Sequence, residues 1–354
     1  MNASGKHTAR CIYLHSIEDY LNPQVQDIVG PADVVIVQRN VTRESTWRFM
    51  DYWRGMGKLI TVDLDDAYQM MPWSNPAHAY WSENKSELPD DPINCLTEGL
   101  KRADGLTTPS KQLIDDWAET VPGYWLPNWA TKAWYEKLMP KIRNPKEEIV
   151  IGWGGSVSHY DSWWGSGIRS ALNGICAEFP HVKVKICGND KRIFDQLPVP
   201  DAQKIWQTGV PPEKWPEQVN TFDIGVAPLF GPYDQRRSWI KGLEYLLVGI
   251  PWVGAAGRPY AEFAEYGTLV EEGTNHWHKA LREVVTHYDD HLGRARDNRQ
   301  VGFQNTLEER IDDYAGIFKR INPARRDIQL PGIAYVGVTP TTTGTNKLAA
   351  RVAH

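Results

Sequence analysis

Only four cysteines occur among the 354 residues, Cys11, Cys95, Cys176 and Cys187. They show no CxxC spacing and are too sparse for a disulfide framework, which points to a reducing compartment and away from structural zinc. The first twenty residues lack the unbroken apolar core of a secretory signal, and no later stretch reaches the roughly eighteen apolar residues of a membrane-spanning helix. A soluble, cytoplasmic protein without stable membrane insertion is therefore expected. Excess positive charge is missing as well: the net charge is -5 and the pI about 6.1, so no overall field draws the chain to polyanions. With 41% hydrophobic and 23% charged residues, the composition also excludes disordered, collagen-like and coiled-coil chains.

What the chain has in abundance is tryptophan, 16 residues of it. Indole faces stack on sugars and nucleobases and also fill ordinary cores. Most of the sixteen are assigned to cores, while Trp73, Trp81, Trp163 and Trp164 are expected to face a cleft.

Short apolar runs bounded by turn residues alternate with longer helical stretches, the pattern of βαβ units and a parallel sheet. Strands are predicted at 11–14, 34–37, 59–62, 149–153, 182–187, 204–206, 224–227 and 252–253. Helices are predicted at 43–56, 94–103, 110–120, 168–178, 215–220, 240–248, 277–286 and 307–319. The polar KIRNPKEE segment at 141–148 reads as a linker, which divides the chain into domains at 1–145 and 146–320. Residues 321–354, with their TPTTTGTNK run, are expected to form an irregular or flexible tail. Two such α/β halves facing each other leave a cleft, and ligands of these folds collect at the carboxyl ends of the strands.

The segment FDIGVAPLFGPYDQRRSWIKGLEYLLVGIPWV at 222–253 is the most informative. A buried strand ends in a polar loop that feeds a helix whose first turns are expected to carry Arg237, Ser238, Lys241 and Glu244. Backbone donors, a favourable dipole and two cations suit a diphosphate there. Glu244, three residues beyond Lys241 on about the same face, is placed to accept hydrogen bonds from a ribose diol. A surface Lys/Glu pair on an amphipathic helix fits the same spacing. Asp63, Asp65 and Asp66 follow a predicted strand and admit three readings: a D-x-D metal site, acids that orient or deprotonate an acceptor hydroxyl, or a solvated turn.

Read as Arg237-Ser238-Trp239-Ile240-Lys241-Gly242-Leu243-Glu244-Tyr245 followed by Gly249-Ile250-Pro251, this segment resembles the K-S-x-x-K-x-x-E-Y-x-x-x-G-x-P pattern of glycosyltransferases with the GT-B architecture. The likeness is greatest to family-4-like enzymes (glycosyl transferases group 1), including types from bacteriophages and surface-polysaccharide loci. The resemblance implies an α/β fold with two Rossmann-like domains whose parallel sheets face each other across a cleft, acceptor domain first and nucleotide-sugar donor domain second. It gives Glu244 to the ribose and the basic residues to the diphosphate. IGWGGSVSHYDSW at 151–163 looks like the first strand and glycine loop of a donor domain, where Gly154, Gly155 and Ser156 let backbone amides approach phosphate. His159 follows and is a candidate for catalysis beside the three aspartates. KVKICGND and WQTGVPPEKW are similar to the loops that receive the base, with main-chain contacts from Gly188, Gly209 and Val210. ADVVIVQR, GKLITVDLDDAY and the segment ending at Pro127-Asn128 are similar to acceptor-domain strands.

The implied activity is transfer of a sugar from a UDP- or GDP-sugar to a hydroxyl of a glycan, a protein or a hydroxymethylated DNA base, with no metal and no further cofactor. For a phage-encoded chain the location would be the host cytoplasm. The chain departs from the pattern at Arg236, where many relatives carry a glutamate that touches the donor sugar. That departure supports the alternative of a catalytically inactive nucleotide-sugar or glycan-binding protein. Residues 1–147 hold 16 Lys and Arg against 20 Asp and Glu, a net of -4. A DNA acceptor would therefore depend on a local stripe of Arg39, Arg43, Arg48 and Arg54.

Overall fold

The computed structural model describes residues 5–13, 19–78, 88–142, 148–321 and 332–337. Twelve strands run in chain order: β1 (Thr8–Tyr13), β2 (Val34–Gln38), β3 (Leu59–Asp63), β4 (Gly105–Thr108), β5 (Gly123–Trp125), β6 (Ile149–Gly154), β7 (Val182–Gly188), β8 (Lys204–Thr208), β9 (Ile224–Ala227), β10 (Trp252–Ala255), β11 (Thr268–Val270) and β12 (Gly332–Gly337). They form two six-stranded sheets, ordered β1-β12-β2-β3-β4-β5 and β11-β10-β9-β6-β7-β8. Every pairing is parallel. The second order is that of a doubly wound dinucleotide-binding sheet, with its reversal between β6 and β9.

The strands that the sequence marked are those whose composition suits a sheet covered on both faces. VVIVQ in β2 and LITVD in β3 are buried at every position, the continuous apolar run that a parallel sheet between helices demands. The second domain has its own large core, in which Trp153, Trp163, Trp252 and Trp277 are fully buried. Trp163 therefore packs inside, edge to face with Trp153 at 5.3 Å, and does not face the cleft as expected. Trp164 is stacked on Tyr160 at 4.0 Å with Arg169 4.0 Å from its ring. Trp73 is 87% exposed and stacks on His78, while Trp81 lies outside the described residues.

The chain does not end where the second sheet ends. The helix Ile311–Ile321 lays Ile317, Phe318 and Ile321 against Ala9, Val34, Ile36, Leu59 and Leu126 of the first domain. Within the segment expected to be irregular, Gly332–Gly337 forms β12, inserted in register between β1 and β2. Both chain ends thus contribute to the first sheet.

Candidate functional site

The carboxyl ends of β6, β7 and β8 bring together the glycines singled out in the sequence. The Gly155 amide donates to the Cys187 carbonyl at 3.1 Å, and the Gly209 amide to the Gly188 carbonyl at 2.9 Å. The close fit explains the residue type. A Cβ on Gly155 would stand 2.7 Å from the Trp153 ring, one on Gly188 2.7 Å from the Gly155 carbonyl oxygen, and one on Gly154 would run into Trp215. Val210 follows Gly209 as a half-buried loop residue. The Ser156 and Ser158 hydroxyls are 2.7 Å apart in the loop after β6.

The helix Ile240–Val248 points its start at this loop. Arg237 and Ser238 precede the helix instead of lying in its first turns: the N-cap is Trp239, and the Ser238 hydroxyl accepts from the Ile240 amide at 3.4 Å. Lys241, in the first turn, donates through Nζ to the Gly154 carbonyl and sits 4.9 Å over the Trp153 ring. Glu244 is 7% exposed and makes no hydrogen bond with another described residue. Burial, with the Glu244 charge added, pushes the Tyr135 and Tyr245 hydroxyls well above their ordinary pKa.

Arg237 is expected to grip a diphosphate, yet it already has partners. Its Nε donates to Asp234 at 2.6 Å and Nη2 to the Ser158 carbonyl at 2.8 Å, while Nη1 reaches Asp66 of the first domain at 3.5 Å. Burial opposes its charge, but the adjoining Tyr233, Asp234 and Asp66 outweigh that and raise its pKa. Asp234 is itself almost fully buried, accepting from Ser162 at 2.5 Å and from the Phe230 amide at 2.8 Å. Ser162 lies 3.5 Å from Nδ1 of His159, which is buried edge to face against Trp153 at 5.5 Å.

On the opposing wall the three aspartates diverge. Asp63 is buried and accepts from the Thr107 hydroxyl at 2.8 Å, tying β3 to β4. Asp66 faces Arg237, and Asp65 lies in the field of Arg39. Arg39 has a left-handed backbone (φ 46°) and reaches the Tyr68 hydroxyl at 3.5 Å. Tyr68 foremost, then Asp65 and Asp66, raise its pKa against the effect of burial. Among the described residues no group of three or more His, Cys, Asp or Glu is arranged to hold a metal ion. The arginine stripe is broken up: Arg48 pairs with Glu44 at 3.4 Å, Arg54 with Asp104 at 3.1 Å, and Arg39 turns to Tyr68.

Several residues that close the cleft were not singled out in the sequence. Asn75 donates to the Ser158 carbonyl and to Asp161, both at 2.9 Å, and the Trp239 indole donates to the Asn128 carbonyl at 2.9 Å. Tyr233 lies with Arg237 4.7 Å over its ring. The one local signal was the i, i+3 spacing of Asp234 and Arg237.

No protein-family model matches the chain, and no curated protein matches its sequence. Solved structures do match in shape. A UDP-forming α,α-trehalose-phosphate synthase from Burkholderia xenovorans superposes with a TM-score of 0.58 at 12% identity, over 87% of this chain and 78% of that one. Sucrose-phosphate synthase from Thermosynechococcus elongatus gives 0.56 at 13% identity, over 82% and 74% of the two chains. HepE of Anabaena in complex with UDP and glucose gives 0.55 at 13% identity, over 84% and 78%. With its two parallel-sheet domains, the chain has the GT-B architecture of these glycosyltransferases.

Proposed function

We propose that the chain is a glycosyltransferase that moves a sugar from a nucleotide-sugar donor, UDP-linked by analogy of shape, to an acceptor hydroxyl without a catalytic metal. The observation that carries this reading is Lys241 on the glycine loop after β6 with Glu244 one turn further along, buried and lacking a hydrogen-bond partner among the described residues. A carboxylate that receives no donor from the protein is open to a ligand that brings donors, as a ribose diol does. The donor diphosphate would lie on Lys241, the Ser156 amide of the loop after β6, and the amino end of the helix Ile240–Val248. These groups stabilise the charge that develops as the bond between the anomeric carbon and the phosphate oxygen breaks. The acceptor oxygen bonds to the same carbon, and its proton passes to an acid of the Asp63, Asp65, Asp66 group, to His159, or to the departing phosphate. Asp66 reaches a donor-side residue, Arg237, at 3.5 Å. The base side falls to Gly188, Gly209 and Val210.

The test is a panel of UDP- and GDP-sugars, read by calorimetric binding and by release of the nucleoside diphosphate, with glycan, protein and hydroxymethylated DNA acceptors. Glu244→Ala should weaken donor binding about tenfold to a hundredfold, for the roughly 1.5–3 kcal/mol of a charge-assisted bond. Unchanged affinity removes Glu244 from the ribose. Transfer should persist in EDTA; activity lost to EDTA and restored by manganese would return Asp63 and Asp65 to the metal reading. A second reading, binding without chemistry, draws on Arg236, which pairs with Asp116 where a sugar-binding glutamate stands in relatives. Donor binding with neither transfer nor hydrolysis would select it.

A further inference from the structure

The helix Lys111–Asp116 of the first domain faces the second domain with a row of charges. Lys111 meets Glu262 at 2.5 Å, Asp115 meets Arg258 at 3.7 Å, and Asp116 meets Arg236. The first two pairs are open to solvent and of little strength on their own. The third differs in kind. Both its side chains are only 15% exposed, and Arg236 grips Asp116 with two nitrogens, Nε to Oδ2 at 2.5 Å and Nη2 to Oδ1 at 2.8 Å. Such a two-pronged guanidinium–carboxylate pair fixes geometry as well as charge. Gln69 adds a bond to the same carboxylate at 3.1 Å, which holds Asp116 in place from the first-domain side.

Arg236 spends its remaining nitrogen, Nη1, on the Pro232 carbonyl at 2.9 Å. One guanidinium therefore folds the segment 232–236 and clips it to the other domain. That segment supplies Asp234, which holds Arg237, and Tyr233, whose ring lies under the Arg237 guanidinium. A continuous set of contacts thus runs from Asp116 through Arg236 to the cation beside the glycine loop.

We propose that Arg236 and Asp116 form an interdomain latch that positions the segment 232–237, so that a residue of the first domain sets how tightly the second domain holds a nucleoside diphosphate. Both are positioning residues, acting through Asp234 and Arg237, whose Nη2 holds the Ser158 carbonyl of the loop after β6 on which the diphosphate would lie. The coupling to the diphosphate rests on the donor-site reading above; the latch itself does not. Its rim pairs, Lys111–Glu262 and Asp115–Arg258, help the two faces meet in register and are the parts most weakened by salt.

The experiment uses the full chain with Asp116→Ala, Arg236→Gln and the charge-swapped double variant Asp116→Arg/Arg236→Asp, each checked for folding by circular dichroism. Small-angle scattering of the ligand-free proteins should give a larger radius of gyration for both single variants, and calorimetry with UDP should show binding weakened about fivefold or more. The double variant should recover compactness and part of the affinity, which a general loss of packing would not do. An unchanged radius in both single variants overturns the latch, whatever the affinities. A larger radius with wild-type UDP affinity overturns its coupling to the donor site. If the wild-type protein binds neither UDP nor UDP-glucose, the donor reading falls, and scattering alone still decides the latch.

Discussion

Tyr233 keeps its ring against Arg237 and its hydroxyl buried, without a hydrogen-bond partner among the described residues. Burial first, then the nearby Asp66, push that hydroxyl's pKa well up, so it stays protonated. Phenylalanine would keep the ring contacts and remove the stranded group. Tyr233→Phe should therefore leave the melting temperature unchanged or raise it, with a gain in stability of up to the roughly 1–3 kcal/mol that a buried unsatisfied polar group costs. A fall of several degrees would mean that the hydroxyl bonds to Asp66 or Tyr68 in solution. The cysteines make a second case at this scale. Burial pushes Cys176 and Cys187 up to about 11, and a thiol is nucleophilic only as its thiolate. A maleimide added to the native protein at pH 8 should therefore leave both unmodified while labelling Cys11, which is exposed although burial raises its thiol as well, and labelling of Cys187 before unfolding would contradict its burial.

The helix Ile240–Val248 places Lys241 and Glu244 on successive turns, and its end is as well defined as its start. Gly249 stops it in a left-handed conformation (φ 72°), its amide bonding back to the Tyr245 and Leu246 carbonyls. An L side chain there meets the steric cost of that region, about 1–2 kcal/mol. Gly249→Ala should lower stability by about that amount in urea unfolding; an unchanged midpoint would place the helix stop elsewhere. This helix was legible in the sequence because its apolar period, its glycine stop and the following Pro251 agree. The strands β2, β3, β6, β7 and β9 were legible for a related reason, since runs of Val and Ile bounded by turns have few alternatives. GLTT in β4, GYW in β5 and TLV in β11 are too short and too mixed to carry a period, and their strand character comes from their neighbours. The site divides along the same line. Spacing within one helix exposed Lys241 and Glu244, whereas the partners of Arg236 and Arg237 stand 120 and 171 residues away in Asp116 and Asp66, and no local pattern records such pairings. Asp63 likewise accepts from Thr107, 44 residues further on, and its position after a strand does not record that partner.

At the scale of the whole molecule, the first sheet is completed by the last part of the chain. Among the described residues β12 is the only strand beside β1, and it separates β1 from β2. Residues 332–337, Gly-Ile-Ala-Tyr-Val-Gly, are a short apolar run of strand type, overlooked because they lie between a polar stretch and a Thr- and Gly-rich run. The pairing of Thr8 with Gly332 through Tyr13 with Gly337 joins distant parts of the sequence, so closing it carries a large loop entropy and must wait until residues 332–337 have been made. The helix Ile311–Ile321 lies on the outer core of the same domain through Phe318 and Ile321. Truncation after Ile321 should consequently leave the second domain and the strands β2 to β5 folded, while β1 loses its hydrogen-bonding partner β12. In hydrogen exchange, the amides of Thr8–Tyr13 should lose most of their protection in the truncated chain, while those of Ile224–Ala227 in the second sheet stay protected. If the Thr8–Tyr13 amides exchange at the same rate with and without residues 322–354, β12 does not hold that edge of the sheet, and the chain's return to its first domain ends at the helix.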